Sequence, residues 1–148
     1  MRVRPPFERT DLPSATRVVA APVADVYAAV TEVTQWPSWM PELLDPVIAK
    51  GDDRYLFRRQ RNGRTDHNEG VVIVRGPTHT FGVQIDAAER VWFRTRPSPS
   101  GTKVDLVLEP FGTATWRQRL RGRRRRAEQE RWVRDVLDGL AGRAAPDA

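Results

Sequence analysis

Three polar residues in the middle of the chain have side chains that can carry chemistry: Arg59, Asp66 and His79. An arginine and a nearby carboxylate can form a charged pair inside a protein. A neutral imidazole beside an apolar site can move protons near pH 7. These residue types suggest general acid–base chemistry, with Arg59, Asp66 and His79 as the candidate catalytic residues.

No motif of a metal or cofactor site accompanies these residues. The chain has two histidines and no cysteine, which does not favour a structural zinc site. A GxSxG sequence, a P-loop and a glycine-rich nucleotide turn are also missing from the sequence. We therefore expect neither a metal nor a cofactor.

The relative position of Arg59 and Asp66 follows from a predicted β-hairpin. Residues 54–60 and 64–75 read as strands, and Asn62-Gly63 between them is a strong signal for a two-residue turn. Such a turn sets Arg59 opposite Asp66, and cross-strand partners share a face of the sheet. The two charges are therefore expected to pair near the turn.

The aromatic residues of this hairpin decide which of its faces points inward. The face of Arg59 and Asp66 also holds two aromatic rings and an amide, which are Tyr55, Phe57 and Asn68. We place that face inward, with Asn68 deeper than the charge pair. A β-bulge at Gly70 would instead turn His67 and Glu69 inward.

His79 begins a segment, residues 79–86, in which apolar and polar residues alternate as in a half-buried strand. Residues 90–96 and 103–109 read as two further strands. The aromatic and apolar residues on the strand faces that are expected to point inward include Phe81, Val83 and Phe93. A solvated histidine at the end of a strand is the alternative to a catalytic His79.

Residues 34–46, TQWPSWMPELLDP, form an aromatic, proline-rich connection that we call the elbow. The helix before it is expected to begin at Pro22 and to stop by Gln35, because Pro37 disfavours helical geometry at the preceding residue. A second short helix is predicted over residues 38–44. Large apolar side chains are supplied here by Trp36, Trp39 and Met40. They line a ligand cavity or, alternatively, only pack the short helix onto the sheet.

The end of the chain is predicted to be a long helix that ends near Gly142. Thr115 and Gln118 have the spacing of a capping box. The apolar residues that recur at helical spacing in its last part are Val133, Val136, Leu137 and Leu140. Because earlier apolar residues lie on another side, a kink, a break or a changed partner is expected between Gly122 and Glu128.

Nine arginines and two glutamates lie between Gly112 and Arg134, in a chain of net charge +6. The cluster Arg121–Arg126 is compatible with binding to nucleic acid or an anionic membrane through counterion release. We favour a solvated helix face with i,i+4 ion pairs, because no aromatic interleaving accompanies the run. A third reading is that the surplus charge steers an anionic ligand. Nucleic acid is therefore not an expected partner.

The length of 148 residues suits one domain. The absence of cysteine favours a reducing compartment, so a cytoplasmic protein is expected. No apolar run approaches the roughly 18 residues of a membrane span. Residues 1–13, with three prolines and many charges, are expected to form a flexible arm before a single domain at residues 14–148. The sequence does not predict the oligomeric state.

Three stretches carry a family resemblance: VVAAPVADVYAAVTEVTQWPSWMPELLD, RTRPSPSGTKVDLVLEP and WVRDVLDGLAG. Together they resemble the START-related helix-grip (SRPBCC) superfamily, and within it the polyketide cyclase/dehydrase and lipid-transport proteins. The resemblance implies an α+β helix-grip fold. In this fold a curved antiparallel β-sheet wraps around a long C-terminal helix, two short helices close one end, and a deep cavity lies inside.

The resemblance also implies a small hydrophobic, aromatic or polyketide-like ligand in that cavity. The protein is then either a cyclase, aromatase or dehydratase, in which Arg59 polarises a carbonyl, or a non-catalytic carrier of lipid or another small molecule. The residues expected to contact the ligand are Trp36, Trp39, Met40, Tyr55, Phe57, Asn68, Phe81, Val83, Phe93, Val133, Val136 and Leu137.

Overall fold

A computed structural model describes residues 3–76, 78–86, 88–110 and 122–146 of the protein. Its elements are β1 (Ser14–Val19), α1 (Val23–Thr31), a 3₁₀ helix (Val33–Ser38), β2 (Leu43–Gly51), β3 (Arg54–Arg61), β4 (Arg64–Arg75), β5 (Thr80–Gln84), β6 (Glu89–Ser98), β7 (Gly101–Pro110) and α2 (Gly122–Ala144). This order confirms the predicted α+β class.

The seven strands form one antiparallel sheet in the order β1-β7-β6-β5-β4-β3-β2. Strands β2 to β7 follow one another as neighbours, and β1 is added beside β7 at the opposite edge from β2. Helix α2 packs against β1, β7 and α1. The curved sheet around the C-terminal helix is the helix-grip arrangement that the resemblance implies.

The hairpin of β3 and β4 has the register that its turn predicts. Arg61 pairs with Arg64, and Arg59 lies opposite Asp66. Asn62 and Gly63 have φ angles of 51° and 75°. Two positive φ values are what a type I′ turn requires, and Asn-Gly adopts them at low cost.

The bulge in β4 lies further along the strand than the sequence analysis considered. The register with β5 shifts between Val72 and Val74, and not at Gly70. Val72 is buried in the inner core, whereas Ile73 and Val74 pack against the cluster on the outer face. The extra residue thus lets the second half of β4 contribute apolar side chains to the outer face.

The elbow differs from the prediction. Helix α1 ends at Thr31, and the next turn, Val33–Ser38, is a 3₁₀ helix with Pro37 inside it. The short helix predicted over residues 38–44 is not formed, since β2 already begins at Leu43. Its backbone is diverted at Glu42, whose φ of 72° is incompatible with a right-handed helix.

The outer face of the sheet is covered by the beginning of the chain. A second apolar cluster centres on Leu12, Trp92 and Val107, with Val3 and Phe7 packed against it. The Arg94 guanidinium lies 4.5 Å from the centroid of the Phe7 ring, and the backbone N–H of Leu108 donates to the carbonyl of Pro13. Residues 3–13, expected to be a loose arm, therefore have defined contacts with β6 and β7.

Helix α2 runs without interruption from Gly122 to Ala144. The side chains of Val133, Val136, Leu137 and Leu140 are buried, as their spacing predicts. The predicted capping residues Thr115 and Gln118 lie outside the described residues, as do Arg121 of the arginine cluster and the side chains of Arg123, Arg124 and Arg125. Of the described helices, none is long and apolar enough to cross a membrane.

Candidate functional site

Five aromatic rings meet between the sheet and the elbow. The ring of Trp36 has centroid distances of 6.2 Å to Trp39, 6.0 Å to Phe57, 6.4 Å to Phe81 and 6.1 Å to Phe93. The indole N–H of Trp36 donates a 2.9 Å hydrogen bond to the carbonyl of Val30, the residue before the last of α1. These rings are fully or almost fully buried. The structure thus brings the expected aromatic ligand-binding residues together, in contact with one another.

The remaining apolar residues expected at the ligand surround this aromatic cluster. The buried ones are Met40, Val83, Val133, Val136 and Leu137. Tyr55 and Asn68 are half-buried, and the Tyr55 ring lies 6.3 Å from that of Phe57. The part of the interior next to the elbow is therefore occupied by protein side chains.

A cavity of about 150 Å³ lies between the sheet and α2, beyond the aromatic cluster. On β3 it begins at Arg59, two residues after Phe57 on the same face. The lining residues are Glu42, Arg59, Gln60, Arg61, Asn62, Glu89, Leu108, Glu128, Gln129 and Trp132. Most of them are polar. This end of the interior is therefore charged, whereas the neighbouring part is aromatic.

Arg59 is the buried cation of this cavity, with only 3% of its surface exposed. Its guanidinium donates a 3.0 Å hydrogen bond to the carboxylate of Asp86 and lies 3.6 Å from Glu42 and 3.8 Å from Glu89. Asp86 in turn accepts hydrogen bonds from the backbone N–H groups of Ala88 and Glu89. The charge of Arg59 is therefore held in place by carboxylates from two segments, the elbow and the turn that leads from β5 into β6.

Glu42 is a carboxyl group of the cavity wall whose contacts with the two arginines are long. Its Oε2 atom lies 3.5 Å from Nε of Arg61 and 3.6 Å from Arg59, but this buried oxygen accepts no hydrogen bond from the described residues. Burial raises the pKa of Glu42, and the negative charges of Glu89 and Glu128 raise it further, while Arg61 and Arg59 lower it. The side chain remains 32% exposed, so the group can exchange protons with solvent.

Trp132 also has a polar side-chain atom without a hydrogen-bond partner among the described residues. The indole Nε1 of Trp132, from α2, is buried and donates to none of the described residues. Trp132 lines the cavity together with Glu42. Two residues of the wall thus each carry a buried polar atom without a hydrogen-bond partner among the described residues: an acceptor on Glu42 and a donor on Trp132. A small molecule with both a donor and an acceptor group could satisfy the two atoms.

The sequence comparisons agree with this architecture. Residues 14–145 match the family model described as polyketide cyclase / dehydrase and lipid transport. The chain belongs to this family. Among curated proteins, the comparison finds no significant match.

Solved structures of similar fold place the domain among helix-grip proteins. Protein TTHA0849 from Thermus thermophilus superposes with a TM-score of 0.74 at 18% identity, covering 91% of this chain and 98% of that one. The Zhui aromatase/cyclase from a Streptomyces species gives 0.71 at 15% identity, with 88% and 91% covered. A START superfamily protein from Mycobacterium smegmatis gives 0.61 at 16% identity, with 91% and 97% covered. At these identities the likeness shows the fold of the cyclase/dehydrase domain.

Two of the predicted catalytic residues of this cyclase/dehydrase domain lie away from the cavity. Asp66 is exposed, and the ion pairs of Arg59 within the described chain do not include it. The predicted Arg59–Asp66 pair is therefore not formed, because loops from elsewhere supply carboxylates to Arg59. His79 is exposed as well, with a φ of 56° just before β5 begins at Thr80, and its ring meets Tyr27 edge-on at 5.0 Å. The alternation along β5 does not turn His79 inward, because the strand begins only at the next residue.

Sequence reasoning about the domain missed Glu42. The residue falls inside the stretch that the sequence analysis assigns to a short helix, where a glutamate reads as solvated. One signal was available: Glu42 is the only ionisable residue between Gln35 and Leu44, in an otherwise apolar elbow. An isolated carboxyl group in such surroundings is a candidate for a buried or functional role.

Proposed function

We propose that this domain binds a small oxygenated molecule in the Arg59–Glu42 cavity and transforms it by acid–base chemistry at Glu42. The observation that carries the proposal is the meeting, at one cavity wall, of a buried guanidinium and a carboxyl group with a raised pKa and an unpaired oxygen. Membership of the cyclase/dehydrase family supports a reaction of this class.

The size of the cavity limits what enters it. A cavity of about 150 Å³ accommodates a molecule of roughly the size of benzene. The ligand is then a single ring, or a longer molecule of which one ring-sized end enters. A polyketide-like compound suits this limit because its ring carries both hydroxyl and carbonyl groups, which match the acceptor on Glu42 and the donor on Trp132.

The proposed reaction is a dehydration. The Glu42 carboxylate removes a proton from a carbon next to a ligand carbonyl, whose oxygen accepts the Trp132 N–H. The resulting carboxylic acid gives that proton to the hydroxyl group on the next carbon, which leaves as water as the double bond forms. Glu42 returns to its starting state, so no other reactant is needed. A carboxyl group whose pKa is raised above its ordinary value by burial suits both transfers.

A non-catalytic carrier is the second candidate. The observation in its favour is the engagement of Arg59 with Asp86, Glu42 and Glu89, since a neutralised guanidinium polarises a carbonyl less than a free one does. A carrier needs the cavity and its unpaired atoms but not proton transfer. The two candidates therefore differ only in whether the bound molecule changes.

Native mass spectrometry of the protein purified from its own host tests for a bound molecule. A ligand that has lost water supports the enzyme, and an intact ligand supports the carrier. As a direct assay, a single-ring β-hydroxy ketone is incubated with the protein and the absorbance of the conjugated product is followed. Wild type is expected to form it, and Glu42→Gln is expected to bind the ketone but form at least about a hundredfold less product per unit time.

The control variant is Glu69→Gln, which removes an exposed carboxylate of β4 that pairs with Arg54 outside the cavity. It is expected to keep the wild-type rate. If Glu42→Gln matches wild type, the catalytic role of Glu42 is lost. If wild type binds the ketone without converting it, the carrier replaces the enzyme.

A further inference from the structure

We propose that the cavity selects a ligand that carries a protonated amino group, so that its ligand is an organic ammonium compound with a ring-sized body. This inference rests on the proposed function and names the class of its ligand. It follows from the charges of the cavity wall, which differ in sign from the charge of the whole chain.

Acidic groups outnumber basic groups around the cavity. Among residues with described side chains, Glu42, Glu89 and Glu128 line it, and Asp86 contacts Arg59 from behind the wall. The cations that line it are Arg59 and Arg61. Among these described side chains, three carboxylates and two guanidinium groups line the cavity, and Asp86 adds a fourth carboxylate behind the wall, although the chain as a whole carries a net charge of +6.

The way in which the two arginines pair leaves negative charge toward the cavity. Arg59 makes its closest contact, 3.0 Å, with Asp86. Arg61 lies 3.5 Å from both Glu42 and Glu89, and Arg59 reaches the same two carboxylates at 3.6 Å and 3.8 Å, so both glutamates have only long, shared ion pairs. Glu128, on α2, adds a further negative charge that acts on Glu42.

The wall also has groups that recognise an ammonium group specifically. The buried Oε2 atom of Glu42 can accept a hydrogen bond from it, and that oxygen has no hydrogen-bond partner among the described residues. The indole of Trp132 lines the same space, and tryptophan is the best of the aromatic side chains for stabilising a cation over its face. An ammonium group would thus offset the surplus charge and pair the unpaired oxygen.

A metal ion does not fit this wall as well as an organic cation. In the part of the chain that the structure describes, no three acidic or histidine side chains are grouped closely enough to hold a metal ion. The cavity is also larger than a metal ion requires, and its wall includes Leu108 and Trp132. The apolar part of the wall suits a ring attached to the amine.

Three probes of matched size and different charge test the inference: benzylamine, benzyl alcohol and benzoate. Their binding is followed by tryptophan fluorescence and by the NMR signal of the Trp132 indole N–H. At neutral pH we expect benzylamine to bind at least about tenfold more tightly than benzoate, with benzyl alcohol between them. We expect Glu42→Gln to weaken the binding of benzylamine about three- to tenfold and to change the affinity for benzyl alcohol by less than about twofold.

Glu128→Gln provides a second variant, at an exposed residue of α2 where a folding defect is not expected. It should weaken the binding of benzylamine more than that of benzyl alcohol. Glu69→Gln is the control and should leave all three affinities unchanged. Benzoate binding as tightly as benzylamine, or a preference that survives both cavity variants, overturns the inference. Equal binding of benzylamine and benzyl alcohol overturns the ammonium class alone, whereas no binding of any probe overturns the proposed function as well.

Discussion

Gly139 of α2 lies directly against the backbone carbonyl of Trp39 in the elbow: a Cβ atom built at residue 139 would be 1.9 Å from that oxygen. Glycine costs about 1 kcal/mol relative to alanine within a helix. The close approach explains why a glycine is present in the middle of α2. It also means that the helix and the elbow, which together close the aromatic end of the interior, are fitted to each other through backbone contact.

Gly139→Ala is therefore expected to destabilise the protein by about 1–3 kcal/mol, because the added methyl group must displace α2 or the elbow. The measurement is the free energy of unfolding in urea. Gly142→Ala is the matched control in the same helix, since nothing lies within 4 Å of a Cβ atom at that residue. It is expected to stabilise by about 0.5–1 kcal/mol. Equal effects of the two substitutions would contradict the packing argument.

The parts of the fold that could be predicted from the sequence are those that local chemistry decides. Asn62-Gly63 determines the turn, and the turn determines the register of the whole β3–β4 hairpin. Period-two alternation identified Phe81 and Val83 of β5 and Phe93 of β6 as residues of the inner core. The spacing of Val133 to Leu140 identified the buried side of α2.

The composition of the cavity could not be predicted in the same way, because its residues come from distant parts of the chain. Arg59 was expected inside, and it is, but Glu42 comes from the elbow and Asp86 from the turn after β5. Hairpin register reveals only the cross-strand neighbour, Asp66, and an arginine side chain is long enough to reach other partners. His79 shows a related limit: the alternation of inward and outward side chains predicts nothing for residues beyond the end of a strand.

Arg59 is expected to contribute to stability as well as to the site. Its removal in Arg59→Ala leaves Asp86, Glu42 and Glu89 without their shared buried cation, and breaking a buried pair in this way costs about 3–5 kcal/mol. Arg54→Ala, on the same strand, is the control, because the Arg54 side chain is 58% exposed and pairs with Glu69 in solvent. It should cost less than about 1 kcal/mol. Urea unfolding of both variants checks the difference, and a comparable loss in each would show that Arg59 is not a buried charge.

Trp36 is expected to be the residue on which the aromatic cluster depends most. Trp36→Ala removes a fully buried indole that contacts four other rings, and should cost about 3–5 kcal/mol. Trp36→Phe keeps a ring but loses the hydrogen bond to the Val30 carbonyl, so a smaller loss is expected. Tyr55→Ala, a half-buried ring at the edge of the cluster, should cost less than Trp36→Ala. Thermal unfolding and near-ultraviolet circular dichroism measure the three; a ranking with Tyr55→Ala first would contradict the arrangement.

Asp105 makes stability depend on acidity. Burial alone would raise its pKa, but the hydrogen bonds from Thr16 and Arg94 and the charges of Arg94 and Arg96 outweigh that effect, so its pKa lies below the ordinary value of 3.8. A carboxyl group whose pKa is lower in the folded than in the unfolded state stabilises the fold above the unfolded-state pKa. That contribution is lost as the pH falls through the folded-state pKa.

Wild type is therefore expected to exceed Asp105→Asn in stability at pH 7, and the difference should shrink as the pH falls below about 4. Thr16→Val removes the 2.7 Å hydrogen bond to Asp105, which raises the folded-state pKa of that carboxyl group, so in this variant the loss should be smaller and should be complete at a higher pH. Asp66→Asn, at an exposed site, should change stability by less than about 0.5 kcal/mol at every pH. Thermal unfolding between pH 2.5 and 7 measures the three variants. A difference between wild type and Asp105→Asn that stays constant across this range would show that the ionised carboxylate of Asp105 is not what stabilises β1, β6 and β7 on the outer face of the sheet.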